Sequence, residues 1–245
     1  MMHSVNYTRV KSHYHSLLSQ HYTWTFGGGG AKQSNNYKLL SDYLKDGKGK
    51  IAVDLGCGSG FQSIPLMQLG YHVYCVDSST QLLEELKENA PNTNYTLVET
   101  DMLSYTHKAD VVVCMGDSIT HLANLDEVEL LLRNVYEMLD GLFFISFRDL
   151  TVEMFDCDRF IPVRSDERTV FTCFLEWKSS GNGCLVKITD LVHVKKGIGA
   201  WELCTSWYEK LGISIDWLRQ KGLEIGFTVL AEGQDQGMEM IIFKK

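Results

Sequence analysis

Three aspartates that close apolar runs mark where this chain can do chemistry. "IAVDLG" delivers Asp54 just before Gly56, Gly58 and Gly60, "HVYCVD" ends on Asp77, and Asp101 follows "NYTLVET". Glycines at alternate positions let a backbone turn sharply and approach a ligand with no Cβ in the way. A carboxylate at the end of a neighbouring run can accept from two vicinal hydroxyls, each charge-assisted bond contributing about 1.5–3 kcal/mol. The spacing therefore points to a ribose-bearing ligand. Each residue also has a plainer use: Asp54 as a loop cap, Asp77 as a helix cap that Ser78 or Ser79 could equally supply, Met115 as core.

Two classes of ribose-bearing cofactor compete for such a site. A dinucleotide fingerprint needs G-x-G-x-x-G, with a third glycine for close helix packing at the pyrophosphate. Here the spacing is G-x-G-x-G with Phe61 next, and Pro65 removes a backbone donor from the helix that follows. Both features count against a pyrophosphate on an intact helix N-terminus and leave the choice open.

The elements that must position these residues alternate regularly. "IAVDLG", "HVYCVD", "NYTLVE", "DVVVCMG" and "GLFFISF" read as strands buried on both faces, as in a parallel sheet. Between them "FQSIPLMQLG", "STQLLEELKENA" and "LDEVELLLRNVYEMLDG" read as helices, the second opening on a serine cap and the third ending at Gly141. Such alternation implies right-handed crossovers in an open, doubly wound α/β sheet, whose ligands bind beyond the carboxyl ends of the strands. After Asp149 the pattern changes to long strand-like runs joined by turns, so residues 152–208 are expected to form an antiparallel insertion after the fifth strand. "SIDWLRQKG" then reads as a helix and "LEIGFTVLAEG" with "MEMIIFKK" as two closing strands, making seven in the main sheet. Gly27 to Gly30 mark a mobile or tightly turning loop.

Composition narrows the partners. The 245 residues carry 44% hydrophobic and 22% charged residues and a formal charge of −8, which suits a folded protein that takes small ligands. Nucleic-acid binding leans on clustered Lys and Arg that displace counterions, and no such excess is present. With no run of membrane-spanning length and no apolar leader, the expected location is the cytoplasm, with no membrane partner. Seven cysteines without a CxxC pair read as reduced thiols, and His13, His15 and His21 as a solvated segment, so no metal is expected.

"VDLGCGSG", then "VDSS", "TDML" and "VVVCMGDSITHL", resemble the successive cofactor-binding motifs of class I S-adenosylmethionine-dependent methyltransferases over residues 35–150. The resemblance implies a methyltransferase domain over residues 35–245 and a lid segment over 1–34, to which Tyr22, Trp24 and Lys32 would contribute. It also implies that Asp54 and the turn through Gly56 and Gly58 hold the methionine end of S-adenosylmethionine, and that Asp77, with Ser78 beside it, takes the ribose hydroxyls. Asp101 and the backbone of Met102 would read the adenine edge, and Met115, Gly116 and Asp117 would line the methyl-transfer site.

"MGDSITHL" is similar to the matching stretch of glycine- and sarcosine-type N-methyltransferases, which implies a small, amine-bearing acceptor and S-adenosylhomocysteine as product. Asp117 and His121 are candidates for proton handling, His121 equally for a helix cap, and no catalytic residue is assigned, because in-line transfer from a sulfonium needs alignment more than a base. A nicotinamide-dependent oxidoreductase and a non-catalytic cofactor-binding protein are the alternatives.

Overall fold

In a computed structural model, which describes residues 5–90, 94–151, 159–180, 183–197 and 199–245, the five apolar runs become parallel strands. These are β1 (Ile51–Leu55), β2 (His72–Asp77), β3 (Tyr95–Glu99), β4 (Ala109–Cys114) and β5 (Leu139–Phe147). A second, antiparallel sheet follows: β6 (Arg159–Ser165), β7 (Thr169–Ser180), β8 (Gly183–Lys196) and β9 (Ala200–Gly212). β10 (Thr228–Asp235) and β11 (Met238–Lys244) return to the first sheet, whose order is β10-β11-β5-β4-β1-β2-β3. The doubly wound, mostly parallel seven-stranded architecture with an antiparallel insertion is the one expected.

The central strands β1 and β4 are buried on both faces, whereas the edge strand β3 is only half-buried, and the period of two divides the core. Val53, Leu55, Val112 and Phe143 pack toward α6 (Leu125–Met138) and α7 (Ile215–Ile225). Ala52, Val73, Cys75 and Val113 pack the other way, against α3 (Gly30–Tyr43), α4 (Ser63–Gln68) and α5 (Thr80–Asn89). Asp54 falls on this second face by the same alternation.

Three expectations need correction. The helix expected to stop at Gly141 ends at Met138, because Leu139 already pairs with Ala109 in β5. Gly141 serves close strand approach instead, since a Cβ there would sit 2.3 Å from the Asp110 carbonyl oxygen. The insertion reaches Gly212 rather than residue 208, with Leu211 buried in the main core; its expected start, residues 152–158, lies outside the described residues, as does Cys157.

Of the three histidines expected to be solvated, His15 is exposed and His21 half-buried, but His13 is not solvated. His13 ends α1 (Val5–His13) and is 1% exposed, its Nε2 2.9 Å from Asp190 Oδ2 on the inner face of β8. That close polar contact lacks the in-line geometry of a hydrogen bond. Beyond α1 the chain makes one π-helical turn (Tyr14–Leu18) and the short α2 (Tyr22–Thr25). Gly27, Gly28 and Gly29 then turn into α3 at φ of 76°, 89° and 82°.

Among the described residues no helix is long and apolar enough to cross a membrane, six cysteines are free, and no cluster of three or more His, Cys, Asp or Glu could hold a metal.

Candidate functional site

The turn leaving β1 and the acid ending β2 are built as one unit. The amides of Gly56 and Cys57 donate to the Val76 carbonyl at 2.8 and 3.0 Å, which folds the glycine turn back onto β2. Gly56 has φ of 75°, and a Cβ there would lie 2.6 Å from Ser118 Oγ, so only glycine fits. Gly58 donates its amide to Asp77 Oδ2 at 2.8 Å, while the Ser79 amide donates to Oδ1 at 2.8 Å. Burial pushes the Asp77 carboxyl up, and the amides of Ser79, Gly58 and Ser78 work against that rise. The side chain capping α5 is Ser79, whose Oγ accepts from the Leu82 amide at 3.4 Å. One strand over, Asp101 Oδ1 accepts from the Leu103 amide at 2.7 Å and shapes the 3₁₀ turn Met102–Ser104.

These residues share a cleft at the carboxyl ends of β1, β2 and β4. Gly56, Gly58, Asp77, Ser78, Asp101 and Met102 line one wall. Gly116, Ser118 and His121, from the segment after β4, line the part that adjoins Gly56, whose carbonyl accepts from Ser118 Oγ at 3.2 Å. Val10, Lys11, Tyr14 and Tyr22 from the N-terminal segment form a roof. The cleft encloses about 770 Å³ of empty space, its open mouth included, within the ~300–1,000 Å³ common for small-molecule sites.

Three residues expected in the site stand behind the wall. Asp54 faces α4 at 1% exposure, where Ser63 Oγ donates to its Oδ2 at 2.6 Å. Burial outweighs that hydrogen bond and pushes the carboxyl up to about 7. Met115 packs in the core beneath the sheet. Asp117 is also buried, in a left-handed conformation with φ of 77°. Its Oδ1 accepts from the Arg148 amide at 2.6 Å and its Oδ2 from Lys210 Nζ at 2.9 Å. Burial raises this carboxyl, but Lys210 and Arg148 prevail and hold it down at about 2.

The roof and the acceptor-side wall are where sequence reasoning saw least. Tyr14 hydroxyl lies 3.3 Å from His121 Nε2, and the His121 ring also neighbours Tyr208 of β9, with centroids 5.5 Å apart. Burial, reinforced by Lys210, lowers the His121 imidazole to about 3, so it is neutral at physiological pH. His121 does not cap α6: Asn124 does, accepting from the Glu127 amide. Tyr14, Val10 and Lys11 carry no local signal beyond the aromatic character of their segment, because their contacts lie far along the chain.

The three residues expected in a lid separate. Tyr22 is in the roof and stacks on Phe61 with centroids 5.7 Å apart. Trp24 instead donates Nε1 to Asp166 Oδ2 at 2.8 Å, tying the segment to the insertion. Lys32 is buried behind Tyr22, its ammonium 3.7 Å from the Phe26 ring centroid and 5.0 Å from that of Phe61. Burial brings the Lys32 amine down to about 8, and it makes no hydrogen bond or ion pair among the described residues.

Comparison with known proteins places this geometry. Residues 52–141 match the family described as "Methyltransferase domain". A glycine/sarcosine N-methyltransferase of Aphanothece halophytica is 31% identical over 127 residues, 49% of this chain and 48% of that protein. A ribosomal protein L11 methyltransferase of Campylobacter hominis is 40% identical over 65 residues, 26% of this chain and 21% of that protein. The chain thus spans about half the length of the first relative and a fifth of the second. Among solved structures, the CcbJ methyltransferase from Streptomyces caelestis superposes with a TM-score of 0.75 at 17% identity, over 94% of this chain and 96% of that one.

Proposed function

We propose that this chain, a class I S-adenosylmethionine-dependent methyltransferase by fold and domain, binds that cofactor in the roofed cleft and methylates a small acceptor, an amine in the first instance. The observation that carries the reading is the clasp of Gly58 and Asp77 on the same wall as Asp101. The residues fit the cofactor. Asp77 has acceptor capacity left beside the two amides it already engages, as a ribose diol needs. Asp101 and the Met102 backbone stand one strand further out in the same cleft, on the side a base would take. Behind Tyr22, outside the cleft lining, Lys32 is a buried amine with no hydrogen bond or ion pair among the described residues, and buried charges are stable when paired. The carboxylate of an amino-acid end is the group its burial calls for.

S-adenosylmethionine supplies a methyl group already activated on a sulfonium. What the chain supplies is alignment and dryness. Holding acceptor and methyl in line within a water-poor cleft is worth about 7–11 kcal/mol of barrier. Gly116, Ser118, His121 and Tyr14 occupy the end where the acceptor would sit. A neutral imidazole near 3 is too weak a base to strip an ammonium, and burial keeps the Tyr14 hydroxyl protonated. Their task is therefore to orient the acceptor by hydrogen bonds, and an amine would shed its proton to water on the way in.

The test is calorimetry with S-adenosylhomocysteine, followed by turnover of methyl-labelled S-adenosylmethionine across a panel of amines, phenols and carboxylates. Micromolar binding and label on an amine support the reading. Tight NAD binding with no response to S-adenosylhomocysteine overturns it, and label on a phenol or carboxylate alone overturns the amine.

A further inference from the structure

The ion pair between Lys210 of β9 and Asp117 after β4 is buried at both ends, with side chains 10% and 8% exposed and 2.9 Å between Nζ and Oδ2. Taking two charges out of water costs several kcal/mol per ion, and matched apolar residues often serve stability as well. The geometry offers a different use.

Gly116 and Asp117 both have φ of 77°, a left-handed step that turns the chain from β4 into the cleft wall. The Asp117 amide donates to the Ser146 carbonyl at 3.3 Å, and its carbonyl accepts from the Thr120 amide and hydroxyl at 3.0 and 2.7 Å. The Arg148 amide takes Oδ1, which leaves Oδ2 for Lys210, with the Arg148 guanidinium standing off from the same oxygen at 3.8 Å. Gly116 before it and Ser118 and His121 after it all line the cleft. A strand of the insertion therefore holds the turn on which that part of the cleft is built.

We propose that Lys210 is a positioning residue: by gripping Asp117 it places Gly116, Ser118 and His121 on the acceptor side of the cleft. The inference rests on the reading of that cleft as a methyl-transfer site. It gives the insertion two roles, one in shaping the acceptor pocket and one in fixing the turn beneath it.

His121 is the reporter. The rings of Tyr14 and Tyr208 flank it, and Lys210, Asp117 and His13 are the charged or titratable groups that face it. In Lys210→Met the ammonium is gone while the Asp117 carboxylate keeps only the outlying Arg148 guanidinium, its Nε 3.8 Å from Oδ2, so the imidazole gains a proton more readily. Nitrogen-15 NMR of labelled histidine should show the His121 midpoint rising by about one pH unit or more. S-adenosylhomocysteine affinity, set chiefly at Asp77 at the end of β2, should stay within about threefold. With sarcosine as probe acceptor, kcat should fall at least about tenfold with a smaller change in KM, and Lys210→Arg should restore most of it.

An unmoved His121 midpoint in folded Lys210→Met overturns the proposal, as does a wild-type kcat on sarcosine. Should that variant not fold, Asp117→Asn keeps an acceptor for the Arg148 amide in a residue that tolerates left-handed backbone. It leaves Lys210 uncompensated, so the His121 midpoint should move down, and a midpoint that stays in place counts against Lys210. Failure of S-adenosylhomocysteine to bind the wild type would instead sink the methyl-transfer reading, while the titration, measured without ligand, still decides whether Lys210 governs the turn.

Discussion

Asp77 Oδ2 accepts the amide hydrogen of Gly58 at 2.8 Å, so the acid ending β2 and the turn leaving β1 present a single surface to the cleft. Replacing the acid by alanine removes both the anchor of that turn and the proposed ribose acceptor. Asp77→Ala should weaken S-adenosylhomocysteine binding at least about tenfold. Calorimetry on the folded variant checks this, and an unchanged affinity would take Asp77 out of the site.

Asp54 gives a pH signature of stability. Its carboxyl is pushed up to about 7 by burial, whereas an unfolded aspartate titrates near about 4. Between those values the folded chain binds more protons than the unfolded one. The stability this contributes is complete below about pH 4 and is lost as pH rises through 7, by up to about 4 kcal/mol. Asp54→Asn keeps an acceptor for Ser63 Oγ and has no charge to bury. Denaturant titrations should find the variant matching wild type near pH 4 and more stable at pH 8. Parallel profiles for the two would rule out the buried acid.

Lys32 should trade stability for binding. A buried amine lowered to about 8 by desolvation is charged at neutral pH at the expense of the fold. That cost is present below pH 8 and fades as pH climbs toward the ordinary lysine value of about 10.4. Lys32→Met should therefore raise stability at pH 7 by about 1–3 kcal/mol, an advantage that shrinks above pH 10. The same variant should bind S-adenosylhomocysteine more weakly. Thermal melts and calorimetry on one preparation test both halves, and unaltered affinity would leave Lys32 without a part in the site.

If the roof lifts for ligand exchange, tethering it should trap the ligand. Thr23 Oγ1 and Ser59 Oγ are 2.7 Å apart across the seam between the N-terminal segment and the glycine turn, close enough to bridge once both are cysteine. In Thr23→Cys with Ser59→Cys, oxidation should slow S-adenosylhomocysteine release at least about tenfold, and reductant should restore it. Stopped-flow release rates read the effect. Equal rates in both redox forms would mean that the ligand leaves by another route.

The half of the site that lies close in sequence was legible before any coordinates. Gly56, Gly58, Asp77, Asp101 and Met102 sit at the ends of consecutive strands, so strand periodicity and turn chemistry suffice to bring them together. Asp54 shows the limit of that logic: the alternation that makes it part of a strand also aims it at Ser63 on α4, away from the cleft. Tyr14 beside His121, His13 beside Asp190 and Lys210 beside Asp117 join segments with no periodic relation to one another. Only the packing of the N-terminal segment, the insertion and the turn after β4 on one another creates those pairs. His13 was misjudged for that reason, since a histidine among polar neighbours carries no local sign of a buried partner.

β9 belongs to two bodies at once. Its first residues are exposed, while Leu211 and the following Ile213 are sealed into the main core. The antiparallel sheet is thus not a detachable module on a hinge but is rooted by one rod driven into the foundation, with Lys210 near the point of entry. Grafting a relative's insertion to change acceptor choice would have to splice upstream of Tyr208, or the graft would uproot the reaction turn along with the specificity it was meant to replace.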